Sequence, residues 1–421
     1  MVSVIRSVDE IADIQKNTLR VLVASQIAGS AALAAAVTVG AFVMQDILGQ
    51  STPWGGAASA TVTMGTAFMA QVLARQMNQH GRRRGLQLGY TFAIIGGLIA
   101  GVGAETKTMW IFILGLFLFG NGQAANLLSR YAATDLAQPN NRGSAMSRIL
   151  FASTFGAVFG PLLIRPAEDL GMSLFGWNQY TGPWVFSGVF FLTSLVNTTV
   201  RLKPDPLEVA GGLNSQAASG TPKRSFKDVW RIFKGSSDGR LALTSMVISQ
   251  MTMVAVMTMT PVHLKGHGHE TVSAYVISLH IVGMYAFSPL IGKFSDLRGR
   301  QNTIMIGALM LMGSTVMSAL AGDSPALLFP SLWLLGIGWS FGLIGGSSLL
   351  VDSVATESRV RVQGTADLMM SFFGGMAGFS SGFIRKAIGF HWLSNLGTVL
   401  AAVLLVSVIV RFGRTSVQSS A

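Results

Sequence analysis

Cysteine is absent from all 421 residues, which excludes disulfide bonds and thiolate metal sites. Charge is scarce too: Asp, Glu, Lys and Arg make up 11% of the chain, against about 25% in soluble domains. With 50% hydrophobic residues and a mean hydropathy of +0.52, the composition is that of a membrane protein. No Gly-Lys-Ser/Thr phosphate loop and no metal-hydrolase pair occurs, so no enzyme activity and no cofactor is expected. "GNGQAA" and "GGSSLL" are Gly-rich but fall inside apolar runs, where they would not cradle phosphate. The first residues, "MVSVIRSVDEIADIQKN", lack the apolar core and cleavage site of a secretory signal. The loop "HLKGHGHE" (263–270) holds three histidines, but their spacing follows no zinc pattern, so no metal is expected there.

What the chain does have is apolar runs of membrane-spanning length, which is about 20 residues. Twelve are read at about 20–43, 54–74, 86–103, 109–129, 145–164, 183–201, 241–261, 271–292, 302–321, 326–349, 365–384 and 390–411. They are long and do not alternate, so they fit helices and not barrel strands. The polar interval 202–240 is rich in Pro, Gly, Ser and Lys/Arg and reads as a flexible basic linker. It divides the chain into a bundle at 1–201 and a bundle at 241–421, six spans each.

The net charge of +12 invites a nucleic-acid reading, which the placement of the bases opposes. With both termini in the cytoplasm, 25 of the 30 Lys/Arg fall on inner segments. Only Lys107, Arg165, Lys265, Arg385 and Lys386 fall outside. That is the positive-inside pattern of a multi-pass plasma (inner) membrane protein, with the bilayer as its partner and no nucleic acid.

The halves repeat. "ARQMNQHGRRR" (74–84) follows the second span and "GKFSDLRGR" (292–300) the eighth; Gly81 and Gly299 are 218 residues apart. "NRGSAMS" (141–147) leads into the fifth span and "VQGTADL" (362–368) into the eleventh, 221 residues on. Parallel six-span repeats are a known transporter architecture, with the substrate site between them.

Twelve spans, a six-six division and the loop of Gly292, Asp296, Gly299 and Arg300 resemble the major facilitator superfamily, over essentially the whole chain. The first-half copy keeps Gly81, Arg82 and Arg83, with Ala74 for the first Gly and Asn78 for the Asp. The resemblance implies an all-α membrane fold of two pseudo-symmetric six-helix bundles and transport of a small molecule, normally by a monomer. "GAVFGP", with Gly156, Gly160 and Pro161, is similar to the core of the motif found in antiporter members. It is also what ordinary small-residue helix packing would look like. The Arg that many proton-coupled exporters carry in the fourth span is replaced by Leu116.

By the same resemblance, each charged turn lies against the start of a span in the other half. Two latches are then expected: Arg82 or Arg83 with Asp367 of the eleventh span, and Asp296 with Arg148 of the fifth. Inside the membrane, ionisable groups are costly and usually functional. His280 lies near mid-span, and histidine is the side chain that can gain and lose a proton near neutral pH, so it is the candidate proton site, with Tyr285 beside it. The alternative is a neutral histidine bonded between helices.

The family's cavity is lined by spans 1, 4, 7 and 10. Here they offer Gln26, Asn121, Gln123, Asn126, Gln250, Met253, Trp333 and Trp339, a set of amides, aromatics and Met suited to neutral or amphipathic solutes. The expected function is secondary active transport, proton-coupled efflux of a small lipophilic or amphipathic compound by rocking of the halves. The alternatives are uptake of a nutrient or, less favoured, a non-transporting receptor.

Overall fold

The computed structural model describes residues 7–48, 55–213, 226–322 and 324–419, and these are α-helical almost throughout. The first half comprises α1 (Val8–Leu48), α2 (Gly55–His80), α3 (Arg82–Glu105), α4 (Met109–Ala132), α5 (Arg142–Leu162), α6 (Ile164–Phe175) and α7 (Thr181–Arg201). A single turn, Pro206–Val209, and α8 (Phe226–Gly235) follow. The second half holds α9 (Ser237–Gly266), α10 (Glu270–Tyr285), α11 (Ser288–Arg298), α12 (Arg300–Leu320), α13 (Leu328–Asp352), α14 (Thr356–Ile388) and α15 (Phe390–Ser419). Helices run past the apolar windows because hydropathy sees only the part in lipid.

Ten segments among the described residues are long and apolar enough to cross a bilayer; α1 and α14 complete the twelve. The hydropathy of α14 is low because the face it buries is polar or small, with Gly364, Thr365, Asp367, Ser371, Gly374 and Gly375. Two prolines mark departures from straight spans. Pro289 enters α11 at its start, where its missing N–H and its ring break the eighth span into α10 and α11. Pro161 sits in the last turn of α5, which gives way at Leu163 to α6. This short helix, which holds Arg165, lacks the apolar run of a span.

Within the first half α3 packs on α4 and α7, and α1 on α5 and α7. Its core is aromatic: Trp184 of α7 meets Phe112 and Phe119 of α4 edge-on, at 5.3 and 5.5 Å. In the second half α12 packs on α13 and α15, and α13 on α9 and α10. Between the halves run two seams, α2 against α14 and α5 against α10 and α11. The expectation of a flexible linker needs correction. Within 202–240, α8 buries Val229 and Phe233 and packs on α9 and α14, so this stretch is docked by its apolar face. Residues 214–225 lie outside the described set.

The start of α1 and the last turns of α15 reach the side that carries the charged turns, called here the basic end. Gln15 and Asn17 of α1 donate to the carbonyls of Ala133 and Arg201, at 2.8 and 3.1 Å. Arg411 of α15 pairs with Asp238 at the start of α9. The two charged turns are each a single glycine between helices. Gly81 has φ 92° and Gly299 φ 91°, a left-handed conformation that side chains oppose.

Candidate functional site

The hydrogen bonds and ion pairs that join the halves among the described residues lie at the basic end. In the α5–α11 seam, Asp296 accepts from the backbone N–H of Gly143 at 2.9 Å and of Ser144 at 2.8 Å, and from the Ser144 hydroxyl at 2.6 Å. α5 begins at Arg142, so these amides are among the four that a helix leaves without internal partners. A carboxylate there also meets the positive end of the helix dipole. Arg300 binds Asp296 at 2.5 Å and Asp352 at 3.0 Å, and crosses the seam to the Pro139 carbonyl at 2.8 Å. Arg142 crosses the other way to Asp352, at 2.5 Å.

In the α2–α14 seam, Arg82 is fully buried and grips Asp135 with Nε at 2.8 Å and Nη2 at 2.9 Å. The same Nη2 crosses to Gln363 Oε1 of α14 at 2.9 Å. Thr365 donates to Gln71 at 3.2 Å. Asp205 accepts from the N–H of Arg83 at 2.8 Å and so caps α3. Asn78 is buried here.

Deeper in, α4 and α14 share a third contact. Arg130 Nη2 lies 2.5 Å from Asp367 Oδ1, both side chains being almost wholly buried. Arg130 also donates to Ser347 of α13 at 3.3 Å, to the Leu127 carbonyl at 2.6 Å and to the Tyr131 hydroxyl at 3.1 Å. Tyr131 donates to Asp367 Oδ1 at 3.4 Å. Asp367 Oδ2 is buried without a hydrogen-bond partner among the described residues. A buried ion pair holds only while both partners stay together, because a separated buried charge is left uncompensated.

The two expected latches are therefore re-partnered. Arg82 meets Asp135 and Gln363 and not Asp367, because Asp367 sits one turn deeper and faces Arg130. Asp296 meets backbone donors of α5 and its own Arg300, while Arg148 points outward and is exposed. Arg83 gives its backbone N–H to Asp205, with its Nε buried and unpartnered.

The model of the Major Facilitator Superfamily matches residues 22–379 and 241–420. The chain belongs to the major facilitator superfamily. An uncharacterized MFS-type transporter of Bacillus subtilis (strain 168) is 35% identical over 98% of this chain and 96% of its own. A riboflavin transporter of Brucella anthropi is 27% identical, covering 83% of this chain and 84% of its own. Among solved structures, the human organic anion transporter MFSD10 has a TM-score of 0.71 at 14% identity, over 94% of this chain and 99% of that one. Superfamily members are transporters of small molecules and not a class of enzymes.

Viewed as a superfamily cavity, spans 1 and 4 hold a knot of buried amides and hydroxyls. Gln26 donates to Ser153 at 2.9 Å and accepts from Ser129 at 3.1 Å. Asn126 accepts from Tyr90 at 3.3 Å, and its Nδ2 is buried and unpartnered. Asn121 is also buried; it donates to the Leu118 carbonyl at 2.5 Å and leaves Oδ1 unpartnered. Gln123 is half-buried, on the face of α4 that leads through Leu127 to Arg130.

In spans 7, 8 and 10, Trp339 donates to Gln250 at 2.7 Å and meets Tyr285 edge-on at 5.9 Å. Trp333 stacks edge-on with Phe287 at 5.7 Å, and Met253 is buried.

His280 lies elsewhere, fully buried between α10 and α13, with Nδ1 donating to the Leu332 carbonyl at 2.8 Å and Nε2 unpartnered. It does not join Tyr285 in that cluster. Gly156 and Gly160 of the antiporter-like motif press on α1: a Cβ on either would come within 2.5 Å of Ser30 or Ala31. At the opposite end, His263 stacks on Phe390 at 4.4 Å and bonds the Gly322 carbonyl, and His267 bonds the carbonyl of His263.

Sequence reasoning missed Asp352 and Gln363 as seam residues and the pairing of Arg130 with Asp367. One signal was available for Asp352. It lies 217 residues after Asp135, so the repeat that relates Arg82 to Arg300 also relates their acids.

Proposed function

We propose that this protein is a secondary active transporter that exports a small neutral or amphipathic compound in exchange for protons. It would sit as a monomer in the plasma (inner) membrane with the basic end in the cytoplasm. The seams close that end in the described state, and in this reading rocking about them would open the path between the halves inward. The observation that carries the reading is the buried Arg130–Asp367 pair, which joins the halves through α4 and α14. Opening the basic end draws Arg130 on α4 away from Asp367 on α14. A buried carboxylate that loses its counter-ion sheds its charge by taking a proton, so proton binding and opening are linked. Asp367, which spans the seam, is thus assigned the coupling role in preference to His280, which is locked within one half. Export is supported by Gly156, Gly160 and Pro161, which join α5 closely to α1.

Uptake of a nutrient is the second reading, and the riboflavin transporter relative favours it, since its likeness extends over most of both chains. The Trp339–Gln250–Tyr285 cluster suits a planar solute with hydrogen-bonding edges under either reading.

The test is flux in proteoliposomes under an imposed pH gradient. Asp367→Asn should transport without regard to the gradient, and His280→Ala should keep its dependence. A gradient response that survives Asp367→Asn and disappears in His280→Ala would reverse the assignment. The direction of gradient-driven accumulation separates export from uptake.

A further inference from the structure

α9 and α15 meet at the basic end around a cavity of about 260 Å³ that the gate does not use. Its walls include Ser237, Arg240 and Thr244 from α9 and Ser407, Val410 and Arg411 from α15. Two guanidinium groups and the hydroxyls of Ser237 and Thr244 thus line one small space, while the Ser407 hydroxyl donates to the Val403 carbonyl at 2.7 Å. Asp238 stands beside it and holds Arg411 through Nε at 2.8 Å and Nη2 at 3.4 Å, and Gln301 also donates to Asp238 at 3.3 Å. Arg240 is exposed, and its Nη1 donates to the Lys234 carbonyl. With two cations against one acid, the cavity keeps an excess of positive charge. Guanidinium forks and hydroxyls are the donors that a phosphate accepts from most readily.

The surroundings indicate where such a phosphate would come from. Val403, Val406 and Val410 form an exposed stripe at helical spacing on α15, running from the cavity toward the apolar middle of the span. At the same end α8 exposes Trp230 and Arg231, residue types that settle at the lipid–water boundary. A basic pocket between spans with an apolar track below it matches a lipid headgroup above its acyl chain.

We propose that this cavity binds the phosphate of an anionic phospholipid, with an acyl chain along Val403, Val406 and Val410. The inference rests on the membrane placement given above and is independent of the substrate and of the coupling at Asp367. Free inorganic phosphate offers the same chemistry without the chain.

The experiment is native mass spectrometry of the full-length protein in detergent, titrated with phosphatidylglycerol, phosphatidylethanolamine or inorganic phosphate, with thermal melting of the same samples. Phosphatidylglycerol should be retained in preference to phosphatidylethanolamine. Retention should fall about fivefold in Arg240→Gln and about 25-fold when Arg411→Gln is added, the effect of one basic residue at an anionic surface taken once and twice. Arg240 is exposed, so the single variant should melt like the parent and reports on binding alone. Equal retention of the two lipids, or undiminished retention in the double variant, would overturn the site. Displacement of the lipid by millimolar inorganic phosphate, with the same arginine dependence, would overturn the lipid assignment in favour of a free anion.

Discussion

The α5–α11 and α2–α14 seams are built from the same repeat, yet one is stitched by an acid and the other by close packing. Asp296 faces α5, which starts at Arg142 and offers two free amides. Asn78 faces α14, which starts at Thr356, so the equivalent amides of Gly364 and Thr365 lie more than two turns inside the helix and are already bonded. An acid at position 78 would find no helix end to cap. The glycines follow the same logic. A Cβ on Gly292 would stand 2.6 Å from the Gly143 carbonyl oxygen, and a Cβ on Gly364 would stand 2.1 Å from the Ala74 Cβ. One seam therefore meets glycine on glycine, and the other alanine on glycine. The departures of the first-half turn from the superfamily pattern are matched by its partner helix.

The paired acids differ in depth. Asp135 is 2% exposed beside a fully buried Arg82, whereas Asp352 is 29% exposed and shared by Arg142 and Arg300. The largest contrast should come from removing the two arginines. Arg82→Ala strands a buried carboxylate and should cost about 3–5 kcal/mol. Arg300→Ala leaves Asp352 with Arg142 and Asp296 with the amides of Gly143 and Ser144, and should cost less, about 1.5–3 kcal/mol. Melting of the purified variants checks the order, and equal losses would remove the distinction between the seams.

Packing gives the next effect. Gly364→Ala should wedge α2 from α14 at about 1–3 kcal/mol, and adding Ala74→Gly should recover most of it. Because the chain has no cysteine, Met146→Cys offers a clean probe in the opposite seam, where buried Met146 of α5 accepts from the Ser348 hydroxyl of α13. Its thiol labelling should rise in the single variant and fall back in the double.

Asp296→Asn should cost about 1–2 kcal/mol through its weakened cap, while Asn78→Asp should bring no gain in melting temperature. A clear gain would mean that a helix end lies against position 78. The smallest effect belongs to Arg148→Glu, an exposed change expected within about 0.5 kcal/mol, with flux unaltered. A large loss there would restore the Asp296–Arg148 latch.

Much of the architecture was legible. Span count, the six-six division and the basic end follow from hydropathy, charge and repeat, and the contact of each charged turn with α5 or α14 from the family resemblance. The helix docked at 226–235, the short α6 and the break at Ala286 were not, since short amphipathic helices lack an apolar run and a single Pro does not say how a span will bend. Within the site, Asp296, Arg82 and Asp367 were singled out as seam residues, but their partners were wrong. Charge complementarity suggests who might pair; it does not say which backbone amides lie free or which acid lies a turn deeper.

The sequence by itself determined that this chain crosses a membrane in two related bundles, because burial in lipid demands long apolar helices and the repeat shows directly in the residues. Only the tertiary structure decided that Arg130 meets Asp367 and that Asp296 caps a helix. Those contacts depend on where α5 and α14 begin and how closely glycine lets two helices approach, and both are settled by packing between segments hundreds of residues apart.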